Sequence, residues 1–173
     1  MDDLFRNAAQ TALRKDSPLF FPYLLGKGAP SMEYSPCGAW LNLSAKHALG
    51  DLCRAAVFGT LCPLRQCADL LESLAGARPN LMLQALACRE DAVRESAGEL
   101  FPQRKFLPEN SEASLLGAAM IGMTSLGIYA DMDAAGSGMI RKKEASLEHT
   151  PLAEELYRYF LDYGKRLHSF SVK

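Results

Sequence analysis

Several features that would indicate a function class are missing from this sequence. An excess of one charge is missing: 19 basic and 20 acidic residues give a net charge of −1, which offers no electrostatic basis for binding nucleic acid or an anionic membrane surface. No run approaches the roughly 18 consecutive apolar residues of a membrane span. The first residues, M-D-D-L-F-R-N, also lack the basic and then apolar layout of a signal peptide. We therefore expect neither nucleic acid nor a membrane as a partner.

The sequence also lacks a cysteine pattern that would indicate disulfide bonds. The chain has five cysteines, an odd number, and Cys53, Cys62 and Cys67 fall on or near an apolar helical pattern rather than in a C-x-x-C pair. This usage is typical of reduced thiols in a cytosolic protein. The sequence therefore predicts a cytoplasmic location. With 49% hydrophobic and 23% charged residues, positions 1–173 are expected to form one globular domain.

The residue groupings of metal and phosphate chemistry are missing as well. His47, His149 and His168 are far apart, and none has Cys, Asp or Glu at zinc-ligand spacing. There is no G-x-x-x-x-G-K-S/T and no G-x-G-x-x-G after a predicted strand. The G-K-G of residues 26–28 resembles a fragment of a phosphate loop, but Ala29-Pro30 follows it instead of a helix. We interpret it as a loop with one solvated lysine, and we predict no catalytic residue and no metal ligand.

What the sequence does contain is an alternation of short apolar runs and longer amphipathic segments. Spacing of three and four indicates helices, and short apolar runs indicate strands. Ser44 is the expected cap of the longest helix, and Pro63 is expected to kink it. Such alternation predicts an α/β fold. The predicted helices are 2–15, 45–74, 89–101, 110–129, 131–139 and 151–167, and the predicted strands are 19–25, 39–43, 80–87, 104–107 and 140–147.

One predicted helix, N-S-E-A-S-L-L-G-A-A-M-I-G-M-T-S-L-G-I-Y at 110–129, is rich in glycine and alanine. Ser111 is a suitable N-cap, and Glu112 suits the first turn, where the helix dipole favours an anion. Glycine inside a helix costs about 1 kcal/mol relative to alanine. We therefore expect this helix to be a buried core element packed closely against a sheet or a neighbouring backbone. Gly117 is the position that we expect to resist enlargement most.

Four segments match a known family when they are taken together and in order. They are L-F-F-P-Y-L-L-G-K-G-A-P, C-G-A-W-L-N-L, L-C-R-A-A-V-F-G-T-L-C-P-L-R-Q and S-E-A-S-L-L-G-A-A-M-I-G-M-T-S-L-G-I-Y. They resemble the C-terminal domain of the FGGY family of carbohydrate kinases, which includes glycerol kinase, xylulokinase and rhamnulokinase. The family's corresponding signatures are P-x-x-x-G-E-R-x-P, a strand beginning near R-G, R-A-x-x-E-G on a helix, and E-x-x-A-L-G-A-A. The resemblance covers about residues 3–170.

The resemblance implies a ribonuclease H-like domain of the actin/hexokinase ATPase type, with a short mixed sheet flanked by helices. In the family this domain holds ATP, and the sugar hydroxyl attacks the γ-phosphate with the help of Mg²⁺. The N-terminal domain supplies most sugar contacts and the aspartate that acts as general base. That domain has no counterpart in this chain, so the resemblance implies a sugar substrate only for the complete enzyme.

The resemblance also places a nucleotide-contacting loop on this chain, at Ala85, Leu86, Arg89 and Glu90, with Gly117 on the helix that follows. Ala85 and Leu86 stand where the family has a glycine pair that lets the backbone approach the adenosine, and a leucine side chain hinders such an approach. Glu90 would face the nucleotide phosphates unfavourably. These substitutions argue against binding of ATP by this chain alone.

Two further signatures are altered. Phe58 replaces the glutamate of R-A-x-x-E-G, and Lys27-Gly28 replaces the E-R of the first signature. Three hypotheses result. The first is the nucleotide-side domain of a sugar kinase, inactive alone and completed by an N-terminal kinase half. The second is a degenerate, non-catalytic domain that binds or assembles, for example as a homodimer. The third is an unrelated α/β enzyme that uses a cysteine.

Overall fold

Helices and short strands alternate along the chain, as the sequence pattern predicts. The computed structural model describes residues 2–78, 80–84, 90–109 and 112–167. The helices are α1 (Asp2–Ala9), α2 (Leu49–Ala75), α3 (Asp91–Leu100), α4 (Ala113–Ser125), α5 (Met132–Met139) and α6 (Pro151–Leu167). The strands are β1 (Leu19–Phe21), β2 (Ala39–Leu41), β3 (Leu81–Met82), β4 (Lys105–Pro108) and β5 (Lys142–Glu144).

The strands of the described residues form two small sheets. β1 and β2 pair antiparallel, with Leu19 opposite Leu41. The second sheet has the order β3-β4-β5; β4 runs parallel to β3 and antiparallel to β5. Helix α3 connects β3 to β4, as a parallel pair requires a crossover connection. The predicted α/β class, the mixed sheet and the strand within 140–147 are confirmed.

Helix α2 lies at the centre of the packing and contacts α1, α3, α6 and β1. The predicted start at 45 with a Ser44 cap is wrong. The helix begins at Leu49, because the Asp51 carboxylate accepts a hydrogen bond from the Ala48 N–H at 2.8 Å and so caps the helix one turn later. Pro63 lies inside the helix, which continues through it to Gly76, whose φ of 66° closes the last turn.

Helix α1 is shorter than predicted. It ends at Ala9 rather than near 15, because Thr11 closes the last turn: its N–H donates to Ala8 O at 3.2 Å and its hydroxyl to Asn7 O at 2.8 Å. The predicted strand 19–25 is likewise limited to Leu19–Phe21, since a proline at 22 cannot donate to a ladder.

The hydrophobic core lies between β1, α2, α3 and α6. Its largest fully buried apolar side chains are Phe21, Phe160, Leu100 and Leu156. The rings of Phe21 and Phe160 stack with centroids 4.5 Å apart. Four apolar side chains at helical spacing form the buried side of α3: Ala92, Val93, Ala97 and Leu100.

Helix α4 is not the buried core helix that its composition predicts. Met120 is its one buried side chain, whereas Leu115 and Ile121 are 69% and 59% exposed. Apart from its chain neighbours and the backbone of its own helix, a Cβ added at Gly117 or at Gly122 would meet no atom within 4 Å. The expected close packing at Gly117 is therefore wrong. The helix packs mainly on α5. Its apolar surface is therefore left open, and the expected cap Ser111 lies outside the described residues.

Candidate functional site

The helix that carries R-A-A-V-F-G is fastened to α3 by its arginine. Arg54 is buried, and its Nη2 donates to Glu99 Oε2 at 2.6 Å while Nη1 donates to Ala92 O at 3.4 Å. A charge-assisted pair of this kind is stronger than a neutral hydrogen bond. The motif's arginine thus joins two helices.

The last two residues of the same motif make the contact between α2 and the first sheet. A Cβ on Gly59 would lie 2.1 Å from Phe20 O, so only glycine permits this approach. Phe58, which stands where the family has glutamate, is 2% exposed and belongs to the hydrophobic core. No carboxylate is therefore available at this position.

The G-K-G loop holds its lysine inward. Lys27 Nζ lies 2.9 Å from Glu33 Oε2 and donates to Gly164 O at 3.5 Å, and its side chain is only 11% exposed. The interpretation of this residue as a solvated lysine is therefore wrong: α6 and the loop itself cover it. Gly26 has a φ of 99°, and a Cβ on this residue would lie 2.5 Å from the Glu33 carbonyl oxygen. The loop backbone is therefore closely packed next to this ion pair.

The described residues include only part of the expected nucleotide site. Ala85, Leu86 and Arg89 lie outside the described residues. Glu90 is the residue before α3, and its carbonyl accepts hydrogen bonds from the N–H groups of Val93 and Arg94, both at 3.1 Å. Gly117 lies on α4 and is half-buried. Of the five expected residues, the structure thus describes Glu90, immediately before α3, and Gly117, on α4.

The start of α3 is unfavourable for the phosphate groups of a nucleoside triphosphate. The N-terminus of α3 would be the natural place for phosphate groups, because its free N–H groups carry a partial positive charge. Glu90 and Asp91 place two carboxylates there, and the exposed Asp91 pairs with Arg94. Within the described ranges no group of three or more His, Cys, Asp or Glu side chains could hold a metal ion.

The buried thiols are poorly suited to nucleophilic chemistry. Burial raises the pKa of Cys62 well above its ordinary value, and it also raises the pKa of Cys53. A thiol with a raised pKa stays protonated at neutral pH, whereas the thiolate is the nucleophile. The four described cysteines are free, as expected for reduced thiols.

Of the helices in the described ranges, none has the length and apolarity needed to cross a membrane.

Comparison with known proteins defines the class. The family model of the C-terminal domain of the FGGY family of carbohydrate kinases matches residues 2–126. The chain therefore belongs to this family, and its fold is that of the actin/hexokinase-type ATPases. The predicted resemblance is confirmed.

Particular relatives show how much of such a protein the chain represents. It is 28% identical to the gluconokinase of Bacillus subtilis (strain 168) over 91% of this chain and 30% of that protein. It is 22% identical to the xylulose kinase of Lactococcus lactis over 87% of this chain and 30% of that protein. The ligand-bound xylulose kinase from Lactobacillus acidophilus superposes with a TM-score of 0.82 at 20% identity, over 96% of this chain and 35% of that one. The chain thus spans about a third of its relatives' length.

Proposed function

We propose that this chain is the nucleotide-side domain of an ATP-dependent sugar kinase, which in its complete form transfers the γ-phosphate of ATP to a hydroxyl of a sugar or polyol. The observation that carries the proposal is the family match over residues 2–126. The proposal includes inactivity of this chain alone. The reason is that the chain spans about a third of its relatives' length. Phe58 in place of the family's glutamate and the carboxylates at the start of α3 argue for weaker nucleotide binding.

The first test measures nucleotide binding by calorimetry with ATP–Mg²⁺. We expect weak binding or none by the unaltered chain. Glu90→Gln should strengthen binding, because it removes a negative charge from the N-terminus of α3. Glu109→Gln is the matched control, since it removes an exposed carboxylate that follows β4. Equal effects of the two substitutions would contradict the assignment of Glu90 to the nucleotide side.

The second test measures phosphate transfer to gluconate and to xylulose, the substrates in the relatives' names. We expect no turnover by this chain alone. The chain should be co-expressed with the part of the Bacillus subtilis gluconokinase that lies outside the match, and we expect activity to appear only in the mixture. Robust turnover by the chain alone would overturn the proposed inactivity, and no turnover in the mixture would count against the kinase role.

A second candidate function is a non-catalytic domain that binds or assembles. It is favoured by the α4 face, which we define as Leu115, Ile121, Leu126 and Ile128, all more than half exposed. Residues 113–130 contain no charged side chain, and an uncharged apolar surface of this kind is typical of an interface. In this proposal the α4 face contacts an N-terminal kinase half or a second copy of the chain.

We propose the cytoplasm as the location, consistent with the free thiols.

A further inference from the structure

A cleft of about 520 Å³ lies between the first sheet and α6, away from α4. Its floor is made of leucine side chains: Leu19 from β1, Leu41 from β2 and Leu156 from α6. Leu19 and Leu156 are 5% and 2% exposed and belong to the hydrophobic core. The volume lies in the range of small-molecule sites, and such sites are mostly apolar with a few polar groups.

Two tyrosines of α6 form one wall of the cleft. The rings of Tyr159 and Tyr163 are 6.5 Å apart and inclined at 41°. The hydroxyl of Tyr159 donates to Glu155 at 3.2 Å, whereas that of Tyr163 has no hydrogen-bond partner among the described residues. Aromatic walls over an aliphatic floor favour a flat apolar body in the ligand. A sugar would leave most of its hydroxyl groups without partners on such a surface.

The charged side chains that line the cleft are basic. Lys15 and Arg166 line it, and no Asp or Glu is among its described lining residues. Of the carboxylates adjacent in sequence to lining residues, Asp16 is paired with Lys46 at 2.5 Å and with Arg14 at 3.4 Å, and Asp162 lies 4.0 Å from Lys165. Lys15 has no ion pair within the described part of the chain. The mouth therefore favours an anionic group.

We infer that this cleft binds an aromatic carboxylate: a flat apolar body on the leucine floor beside Tyr159 and Tyr163, with the carboxylate at Lys15. The Tyr163 hydroxyl can donate a hydrogen bond to the same carboxylate. The inference is independent of the kinase assignment, because none of these residues belongs to the expected nucleotide loop.

The test uses biphenyl-4-carboxylate as the probe and calorimetry as the measurement. The control probe is biphenyl-4-methylammonium, which has the same apolar body and the opposite charge. It distinguishes binding at the cleft from nonspecific binding to exposed apolar surfaces such as the α4 face. We expect the carboxylate to bind in a one-to-one ratio and the ammonium compound to bind at least about fivefold more weakly.

Two variants complete the experiment. Lys15→Glu should weaken binding of the carboxylate by about fivefold or more, while Lys143→Glu, an exposed lysine of β5 in the other sheet, should leave it unchanged. Tyr163→Ala should also weaken binding, with circular dichroism to check that the fold is kept. Equal binding of the two probes, equal affinity of the two lysine variants, or no binding of the carboxylate would overturn the inference.

Discussion

Gly59 lies so close to Phe20 that a methyl group on the glycine would be 2.1 Å from the Phe20 carbonyl oxygen. Neither element can shift easily, because Phe58 of α2 and Phe21 of β1 both belong to the hydrophobic core. This contact fixes the distance between the central helix and the first sheet. Gly117, in contrast, has open space around its position. The two helical glycines therefore should respond in opposite ways to the same substitution.

Gly59→Ala should lower the free energy of unfolding by about 3 kcal/mol, the upper part of the usual range for overpacking. Gly117→Ala should raise it by up to about 1 kcal/mol, since alanine is the better helix former and nothing obstructs its methyl group. Urea unfolding of both variants and the unaltered chain measures these changes. A destabilised Gly117→Ala would mean that α4 is covered in solution, which would contradict the open surface described above.

Arg54 supports a second prediction. Arg54→Ala should lower the free energy of unfolding by about 3 kcal/mol, because it removes the buried guanidinium that joins α2 to Glu99 of α3. Arg104→Ala is the control: its two bonds to Glu144, at 2.9 and 2.7 Å, are exposed, so its loss should cost less than about 1 kcal/mol. If the two variants lost similar amounts of unfolding free energy, burial would not determine how much these two ion pairs contribute to stability.

The sequence predicted the elements whose signals are local. Pro151 indicated the first residue of α6, and Gly76 indicated the end of α2, because proline and glycine restrict the backbone where they stand. The cap of α2 was not predicted, since Ser44 and Asp51 are both chemically able to cap a helix. Only the folded geometry decides between them.

Burial was harder to predict than secondary structure. The apolar side chains of a helix such as α4 indicate that their burial is favourable. The sequence does not say whether the segment that buries them belongs to the same chain. Lys27 is covered by the carbonyl of Gly164, a contact between distant residues that no local pattern shows. The expected nucleotide loop was placed by resemblance alone, and three of its residues, Ala85, Leu86 and Arg89, lie outside the described residues and remain a prediction.

Tyr157 gives a prediction about alkaline pH. Burial raises the pKa of its phenol, and the hydrogen bond that it donates to Asp69 at 2.9 Å raises the pKa further. A group whose pKa is raised by folding stabilises the fold fully below its unfolded pKa, about 10 for tyrosine, and loses this contribution as the pH rises above that value. The free energy of unfolding should therefore fall above about pH 10.

Tyr157→Phe isolates this contribution. At neutral pH the variant should lose about 1 kcal/mol, since it lacks one hydrogen bond. Above about pH 10 its stability should decline less steeply than that of the unaltered chain, because one titrating phenol is missing. Urea unfolding between pH 8 and pH 11, roughly the range spanning the tyrosine pKa, measures both slopes. Parallel slopes would show that the Tyr157 phenol ionises as readily in the folded chain as in the unfolded one.

The α4 face gives the last prediction. Ile121→Glu should change the free energy of unfolding by less than about 0.5 kcal/mol, because a substitution on an exposed surface seldom changes stability by more. If the face contacts a second copy, however, the charge should prevent that contact and lower the molar mass measured by light scattering. Leu71→Glu is a matched control, since Leu71 on α2 and Ile121 on α4 are both 59% exposed. A monomeric unaltered chain, or an equal loss of mass in both variants, would exclude the α4 face as the self-association surface and leave an N-terminal kinase half as its proposed partner.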